Sequence, residues 1–366
     1  MTDRELSAPG RRPLRIAFCV YRGNPYSGGQ GVYTAYLVRE LTRRGHHVEV
    51  FSGPPYPRLD GGILHELPSL DLFRQPDPFR IPKRKEFSDW ADVWEFLTMC
   101  TGGFAEPRTF GMRLERALRD RPGDFDILHD NQSLSWSIRR LSRAGLPVLA
   151  SIHHPITVDR RLGIEAATTL AQQFGIRRFY GFLRMQQAVA RSLPYVLTVS
   201  EASRRDIVRE MGVSPERISV VPVGVDTDIF RPIPEIAREE DLLVTTASAD
   251  VPLKGLRFLV DAVIRSHHTG SARPRLMIVG QPKPNSEVRE VVAREGFGEW
   301  IQFVGTLAQD DLVRLYARAT AAVVPSLYEG FSLPAIEAMA MGTPLIATNG
   351  SALAEVAGED GEFARV

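Results

Sequence analysis

Between Leu14 and Phe51 the chain spells out a unit that few folds accommodate: an apolar strand, a glycine loop, a helix and a second strand. Leu14–Val20 reads L-R-I-A-F-C-V, a short apolar run suited to a parallel strand covered on both faces. Y-S-G-G-Q-G follows, and then V-Y-T-A-Y-L-V-R-E-L-T-R-R-G. In that stretch Val32, Tyr36, Leu37 and Leu41 recur at helical spacing, and Gly45 marks the stop. His47–Phe51 supplies the next strand. This order opens a doubly wound α/β domain.

The pattern continues. Asp126–His129, Pro147–Ile152 and Tyr195–Val199 read as further strands, with a helical stretch over Ser133–Ala144 and a helix opening near Ser200 or Ser203. Residues 54–90 are rich in Pro, Phe and charge with little periodicity, and read as a long loop or insertion near the substrate side. After Val220–Pro232 (V-V-P-V-G-V-D-T-D-I-F-R-P), proline density and an acidic run to Asp241 mark a linker. A second series follows. Leu242–Ala247, Arg275–Val279 and Ile301–Val304 alternate with helices around Gly255–Ser266, Ser286–Gly296 and Ala308–Ala319. Ala321–Pro325 and Pro344–Ala347 are the last clear strands. A length of 366 residues fits two such domains, placed at 1–222 and 223–366.

Charge divides along the same line. Residues 1–222 carry 32 Lys+Arg against 24 Asp+Glu, and the remainder 13 against 20, within a chain of formal net charge +1. That balance gives no sign of a dedicated nucleic-acid binder. It is open whether the basic first half has a partner of its own or only scattered surface charge. Cys19 and Cys100 are too few for a disulfide framework, and Cys19 sits in the first strand as a buried free thiol. The N-terminus lacks the apolar stretch of a signal peptide, and no segment reaches the 18 or so apolar residues of a membrane span. A cytosolic protein is expected, with attachment to the inner face of a membrane left open.

In open α/β sheets ligands bind beyond the carboxyl ends of the strands. Three places there carry suitable residues. Gly28-Gly29-Gln30-Gly31 lets backbone approach a ligand ahead of a helix N-terminus, although a tight turn alone would explain it. In V-P-L-K-G, Lys254 precedes a helix start in a chain with only four lysines, and is a fitting point charge for a pyrophosphate or an ordinary exposed lysine. In P-S-L-Y-E-G-F-S-L-P-A-I-E-A-M-A-M-G-T-P, Glu329 lies in a loop and Glu337 lies one turn into a helix that Pro334 begins. A carboxylate there can accept both vicinal hydroxyls of a ribose, and the N–H groups of Gly330, Phe331 and Ser332 can donate to phosphate or sugar oxygens. The alternative is that Glu337 caps or pairs locally on a surface helix while Leu333, Ile336 and Met339 are simply core.

Glu329–Glu337 matches the E-x7-E motif of retaining GT-B glycosyltransferases, and its flanks resemble glycosyltransferase family 4. G-G-Q-G-V-Y, H-D-N-Q, S-I-H-H-P, P-V-G-V-D and V-P-L-K-G extend the resemblance over nearly the whole chain. It implies a GT-B architecture: two Rossmann-like domains facing a central cleft, the first for the acceptor and the second for the donor. It implies a metal-independent retaining transfer from a UDP- or GDP-sugar to a hydroxyl acceptor, with no cofactor. Glu337 would bind the ribose, Glu329 the donor sugar and Lys254 the leaving diphosphate. Gly29 and Gly31 would approach phosphates or acceptor, His153 would stand beside the transferring sugar, and His129 and Asn131 would lie near the acceptor. His154 reads as structural.

Two departures stand out. Ser248 occupies the position where the family commonly has an arginine, so a diphosphate charge is missing or comes from a residue such as Arg22 or Arg257. Relatives also continue through more sheet and a final helix beyond the point where this chain stops at Val366. A non-catalytic GT-B subunit or a sugar-nucleotide epimerase are the alternative readings. The basic first half permits a lipid-linked or anionic acceptor, and equally a soluble small molecule or glycan.

Overall fold

The structure, a computed structural model, describes residues 12–25, 29–74, 77–121, 123–246, 252–270, 272–280, 286–358 and 362–364. Gly28, Ala247 and Ser248 therefore lie outside the described residues. The chain forms two compact units: Met1–Thr198 with Asp206–Ser219, and Val199–Arg205 with Val220–Val366.

The first unit is built on a seven-stranded sheet of β1 (Arg15–Val20), β2 (His47–Ser52), β3 (Ile63–Glu66), β4 (Ile127–Asn131), β5 (Val148–Ser151), β6 (Tyr195–Thr198) and β7 (Ile218–Val220). The order is β3-β2-β1-β4-β5-β6-β7, and β3 through β6 pair in parallel. Its helices are α1 (Gln30–Arg43), α2 (Trp90–Cys100), α3 (Glu106–Leu118), α4 (Trp136–Arg143), α5 (Thr157–Ala166), α6 (Leu170–Phe179) and α7 (Leu183–Ala190). Strand β1 is buried on both faces. Ile16, Phe18 and Val20 pack with Val38, Val48 and Val50, while Ala17 and Cys19 point the other way among Phe51, Leu114 and Leu128. That two-residue alternation into two cores is why the strand reads as continuously apolar. Cys19 is a buried free thiol.

After the short α8 (Glu201–Asp206), the second unit repeats the plan. Its strands are β8 (Leu242–Thr246), β9 (Arg275–Val279), β10 (Ile301–Gly305), β11 (Ala321–Val324), β12 (Leu345–Thr348) and β13 (Glu362–Ala364). Its helices are α9 (Leu256–Thr269), α10 (Glu287–Arg294), α11 (Gln309–Arg318), α12 (Leu333–Ala340) and α13 (Leu353–Ala357). The sheet is parallel in the order β10-β9-β8-β11-β12-β13. Each sheet reverses its winding once, between β1 and β4 in the first and between β8 and β11 in the second. Such switch points are where an open sheet leaves a crevice at its carboxyl edge.

Several expectations need correction. Residues 54–90 are not only loop: β3 pairs with β2, and Arg84–Glu86 forms a 3-10 turn. β3 escaped notice because, at the sheet edge, none of its residues is fully buried. Helix α4 starts at Trp136 rather than Ser133. The Asp130 carboxylate holds the N–H of Ser133 at 3.1 Å and of Leu134 at 2.8 Å, and Gln132 and Leu134 take left-handed φ of 60° and 47°, so the helix cannot begin earlier. Beyond β12, the strand β13 adds to the sheet. Among the described residues no helix is long and apolar enough to cross a membrane.

Candidate functional site

In the second unit the loops after β8 and β11 meet at the switch point. Gly255, with φ +62°, sits so close to Pro325 that a Cβ would lie 1.9 Å from its carbonyl oxygen. Leu327 N–H donates to the carbonyl of Leu253 at 2.8 Å. The glycine after the lysine is therefore what lets the two loops touch. The contact brings Lys254 Nζ within 2.7 Å of Glu329 Oε1, with both side chains mostly shielded from solvent.

Glu329 is held from several sides. Ser326 Oγ donates to the same Oε1 at 2.7 Å, and Thr348 Oγ1 in turn donates to the Ser326 carbonyl. Glu329 N–H donates to Ser351 Oγ at 2.8 Å, and its carbonyl accepts from Ala352 N–H at 3.2 Å. Among the described residues Oε2 has no hydrogen-bond partner, and Lys254 has donors to spare. The pair is a fixed carboxylate beside a cation with capacity left for a ligand.

The next residues form an anion-ready corner. The Gly330 carbonyl accepts from Ser200 Oγ at 2.7 Å and Ser203 Oγ at 3.0 Å, which pins the loop. Ser332 then takes φ +97°, unusual for a non-glycine residue, as the N-cap of α12. Its hydroxyl is buried and makes no hydrogen bond. A strained residue with an unsatisfied buried hydroxyl at a helix N-terminus is a feature that calls for a ligand.

One turn on, burial pushes the Glu337 carboxyl up to about 7, against a smaller opposing pull from the Tyr316 hydroxyl. Tyr316 on α11 is itself raised by burial and by the neighbouring Glu337. The hydroxyls of Tyr316 and of Thr246, at the end of β8, are buried without hydrogen bonds of ordinary geometry. Glu337 is half-buried beside Tyr316 and has no basic partner among the described residues.

In the first unit the residues after β1, β4 and β5 also gather at their switch point. Gly29 takes φ +74° as N-cap of α1, the left-handed turn that glycine permits. Gly31 is explained by packing: a Cβ there would lie 2.0 Å from the Asn24 carbonyl oxygen. His153 Nε2 donates to Asn131 Oδ1 at 2.7 Å, while Asn131 Nδ2 donates to Thr34 Oγ1 at 3.1 Å and the Gln30 carbonyl at 3.3 Å. Gln132 clamps the segment, accepting from His153 N–H at 2.8 Å and donating to the His154 carbonyl at 2.7 Å. Burial, with the nearby His154 and His129, pushes His153 down to about 3, so it is a neutral hydrogen-bonding group. The Tyr33 ring stands edge-on to it at 4.6 Å.

His129 is placed deeper. It is buried in β4 against Phe18, its Nε2 is 2.7 Å from Ser151 Oγ, and burial lowers it to about 4. The Ser151 hydroxyl in turn lies 3.4 Å from that of Tyr33. His154 pairs with Asp159 at 3.0 Å. Neither arginine considered as a substitute diphosphate charge is at liberty: both Glu106 oxygens lie 2.8 Å from Arg22, and Arg257 pairs with Asp261 and Glu287. Sequence reasoning missed Tyr316, Thr246, Ser326, Ser351 and Gln132. Of these, only Ser326 and Gln132 lie inside the stretches that carry the family resemblance, P-S-L-Y-E-G and H-D-N-Q.

Comparison with known proteins assigns the family. Residues 27–229 match the profile described as Glycosyltransferase Family 4, and residues 240–365 that of Glycosyl transferases group 1. The chain is 47% identical over 355 residues to the MMP alpha-(1->4)-mannosyltransferase of Mycolicibacterium hassiacum, covering 96% of this chain and 85% of the relative. It is 28% identical over 380 residues to the D-inositol 3-phosphate glycosyltransferase of Acidothermus cellulolyticus, covering 96% and 78%. Among solved structures it resembles sucrose-phosphate synthase from Thermosynechococcus elongatus with a TM-score of 0.70 at 22% identity, covering 97% and 86%. Anabaena HepE in complex with UDP and glucose follows at 0.66 and 16%, covering 96% and 86%. These likenesses show the GT-B fold.

Proposed function

The chain belongs to glycosyltransferase family 4, and on that premise we propose that it moves a mannosyl group from a nucleoside-diphosphate mannose to a glycan hydroxyl, with retention and without a divalent metal. The observation that carries the donor reading is the fixed Lys254–Glu329 pair at the switch point, 2.7 Å apart, beside the strained and unsatisfied Ser332.

Each group has a task in that reaction. Breaking the anomeric C–O bond leaves negative charge on the departing diphosphate. Lys254 Nζ, the N–H groups of Gly330–Ser332 and the N-terminus of α12 are donors that stabilise such charge without a metal. Glu329 Oε2 accepts from a hydroxyl of the transferred sugar, while Oε1 keeps Lys254 in place. Glu337 accepts from the ribose diol, an exchange of its proton for two hydrogen bonds. His153, neutral and fixed by Asn131, is suited to a hydrogen bond and not to proton transfer. The acceptor hydroxyl gives up its proton to the leaving phosphate in a front-face attack.

The choice of mannose and of a glycan acceptor is supported by the M. hassiacum relative, at 47% identity against 28% for the inositol-phosphate enzyme. An α-linked product from an α-linked sugar nucleotide corresponds to retention. Thermal-shift titration with UDP- and GDP-sugars tests the reading. Stabilisation by one nucleoside-diphosphate sugar, lost in Lys254→Ala and Glu337→Ala, is expected. Unchanged donor binding in both variants overturns the site.

A further inference from the structure

Helix α2 is amphipathic in the reverse of the usual sense. Its two carboxylates point inward, where Arg113 Nη2 meets Asp92 and Arg113 Nη1 meets Glu95, each at 2.6 Å. Three of its large apolar side chains point outward: Trp90 is 79% exposed, Trp94 46% and Leu97 58%. Positions 90, 94 and 97 share one helical face. The helix is firmly started, with Asp89 accepting from the N–H groups of Ala91 and Asp92.

The surroundings of that face are basic. Immediately ahead of α2 run Ile81, 83% exposed, and the exposed Lys83-Arg84-Lys85, which include two of the chain's four lysines. Phe87 meets Phe96 edge-on at 5.7 Å and so packs this turn against the helix. Arg108 lies over the Trp94 ring at 4.5 Å. The local carboxylates are already neutralised, Glu86 by Arg80 and Asp89 by Arg116. Lys83, Arg84, Lys85 and Arg108 have no acidic partner among the described residues.

We propose that this face of the first unit docks on an anionic lipid surface. Indole rings and aliphatic tips enter the headgroup boundary, where tryptophan is favoured, while the lysines and arginines meet lipid phosphates. A glycan would stack on the indoles but has no use for Ile81 and Leu97. A second copy meeting it through the same face would bring the same positive charge against itself. The proposal is independent of the donor site.

Co-sedimentation with vesicles of phosphatidylglycerol and phosphatidylcholine, against phosphatidylcholine alone, tests it on the full chain. Binding to the anionic vesicles at low salt is expected, with a blue shift of tryptophan emission. Trp90→Ser with Trp94→Ser, both at exposed positions, weakens partition by about tenfold or more. Lys83→Glu with Lys85→Glu weakens it by about fivefold or more per residue, as raised salt does. Stabilisation by the nucleotide sugar stays unchanged in these variants, which separates this test from the donor reading. No binding to anionic vesicles at low salt overturns the proposal, and so does undiminished binding by the tryptophan variant. Concentration-dependent dimerisation abolished by the same variant would assign the face to self-association instead, and overturns it equally.

Discussion

Replacing Glu337 by glutamine isolates the half-buried carboxyl on which the proposed ribose contact depends. In the free protein its pKa stands at about 7, against an ordinary value of 4.5, because burial disfavours the charge. The folded state therefore keeps the proton longer than the unfolded chain. The stabilisation linked to that proton is present below about pH 4.5 and is lost as pH rises through about 7. A tenfold change in proton affinity is worth about 1.4 kcal/mol, so between pH 5 and pH 8 the wild type loses about 2–3 kcal/mol from this group. Glutamine cannot ionise and loses none of it. Denaturant unfolding of both proteins at the two pH values is expected to show the stability difference moving by about that amount in favour of the variant.

The same group sets the pH dependence of donor binding. A diol seeks the ionised form, so nucleotide affinity is expected to be about tenfold weaker at pH 6 than at pH 8. In Glu337→Gln that slope disappears along with most of the affinity. Parallel stability profiles for the two proteins between pH 5 and pH 8 would show instead that Glu337 is not held protonated.

Lys254→Ala is expected to lower kcat/KM by about 10²–10³, the effect of removing a preorganised donor from developing charge, as read in steady-state kinetics. Near-wild-type turnover would remove Lys254 from the leaving-group site. Gly255→Ala forces a left-handed φ on a residue whose Cβ meets Pro325, and is expected to destabilise the second unit by about 3 kcal/mol or more in denaturant unfolding. Arg113→Ala leaves Asp92 and Glu95 buried without their cation, costing the first unit about 3–5 kcal/mol in the same measurement. Adding Asp92→Asn and Glu95→Gln to that variant recovers part of the loss.

The sheets were legible because parallel strands buried on both faces, such as Arg15–Val20 and Ala321–Val324, leave unbroken apolar runs. Helix α12 was legible from Pro334 and its loop. β3 was not, since an edge strand needs no continuous apolar pattern. Helix α2 was missed for a different reason: Asp92 and Glu95 face inward to Arg113, so its polarity contradicts the rule by which helices are read. Within the candidate site, the motifs mark residues but not how they are held. The meeting of Lys254 with Glu329 depends on a backbone contact between Gly255 and Pro325, which are distant in the chain. Glu337 is half-buried beside Tyr316, on a helix that no motif marks.

A single product analysis bears on the proposed reaction as a whole: the anomeric configuration of the glycoside formed from nucleoside-diphosphate mannose in the presence of EDTA, read by NMR. An α-linked product is expected, formed at an undiminished rate by the wild type and lost in Lys254→Ala. A β-linked product, or activity that vanishes in EDTA and returns with a divalent metal, would contradict retaining, metal-independent transfer.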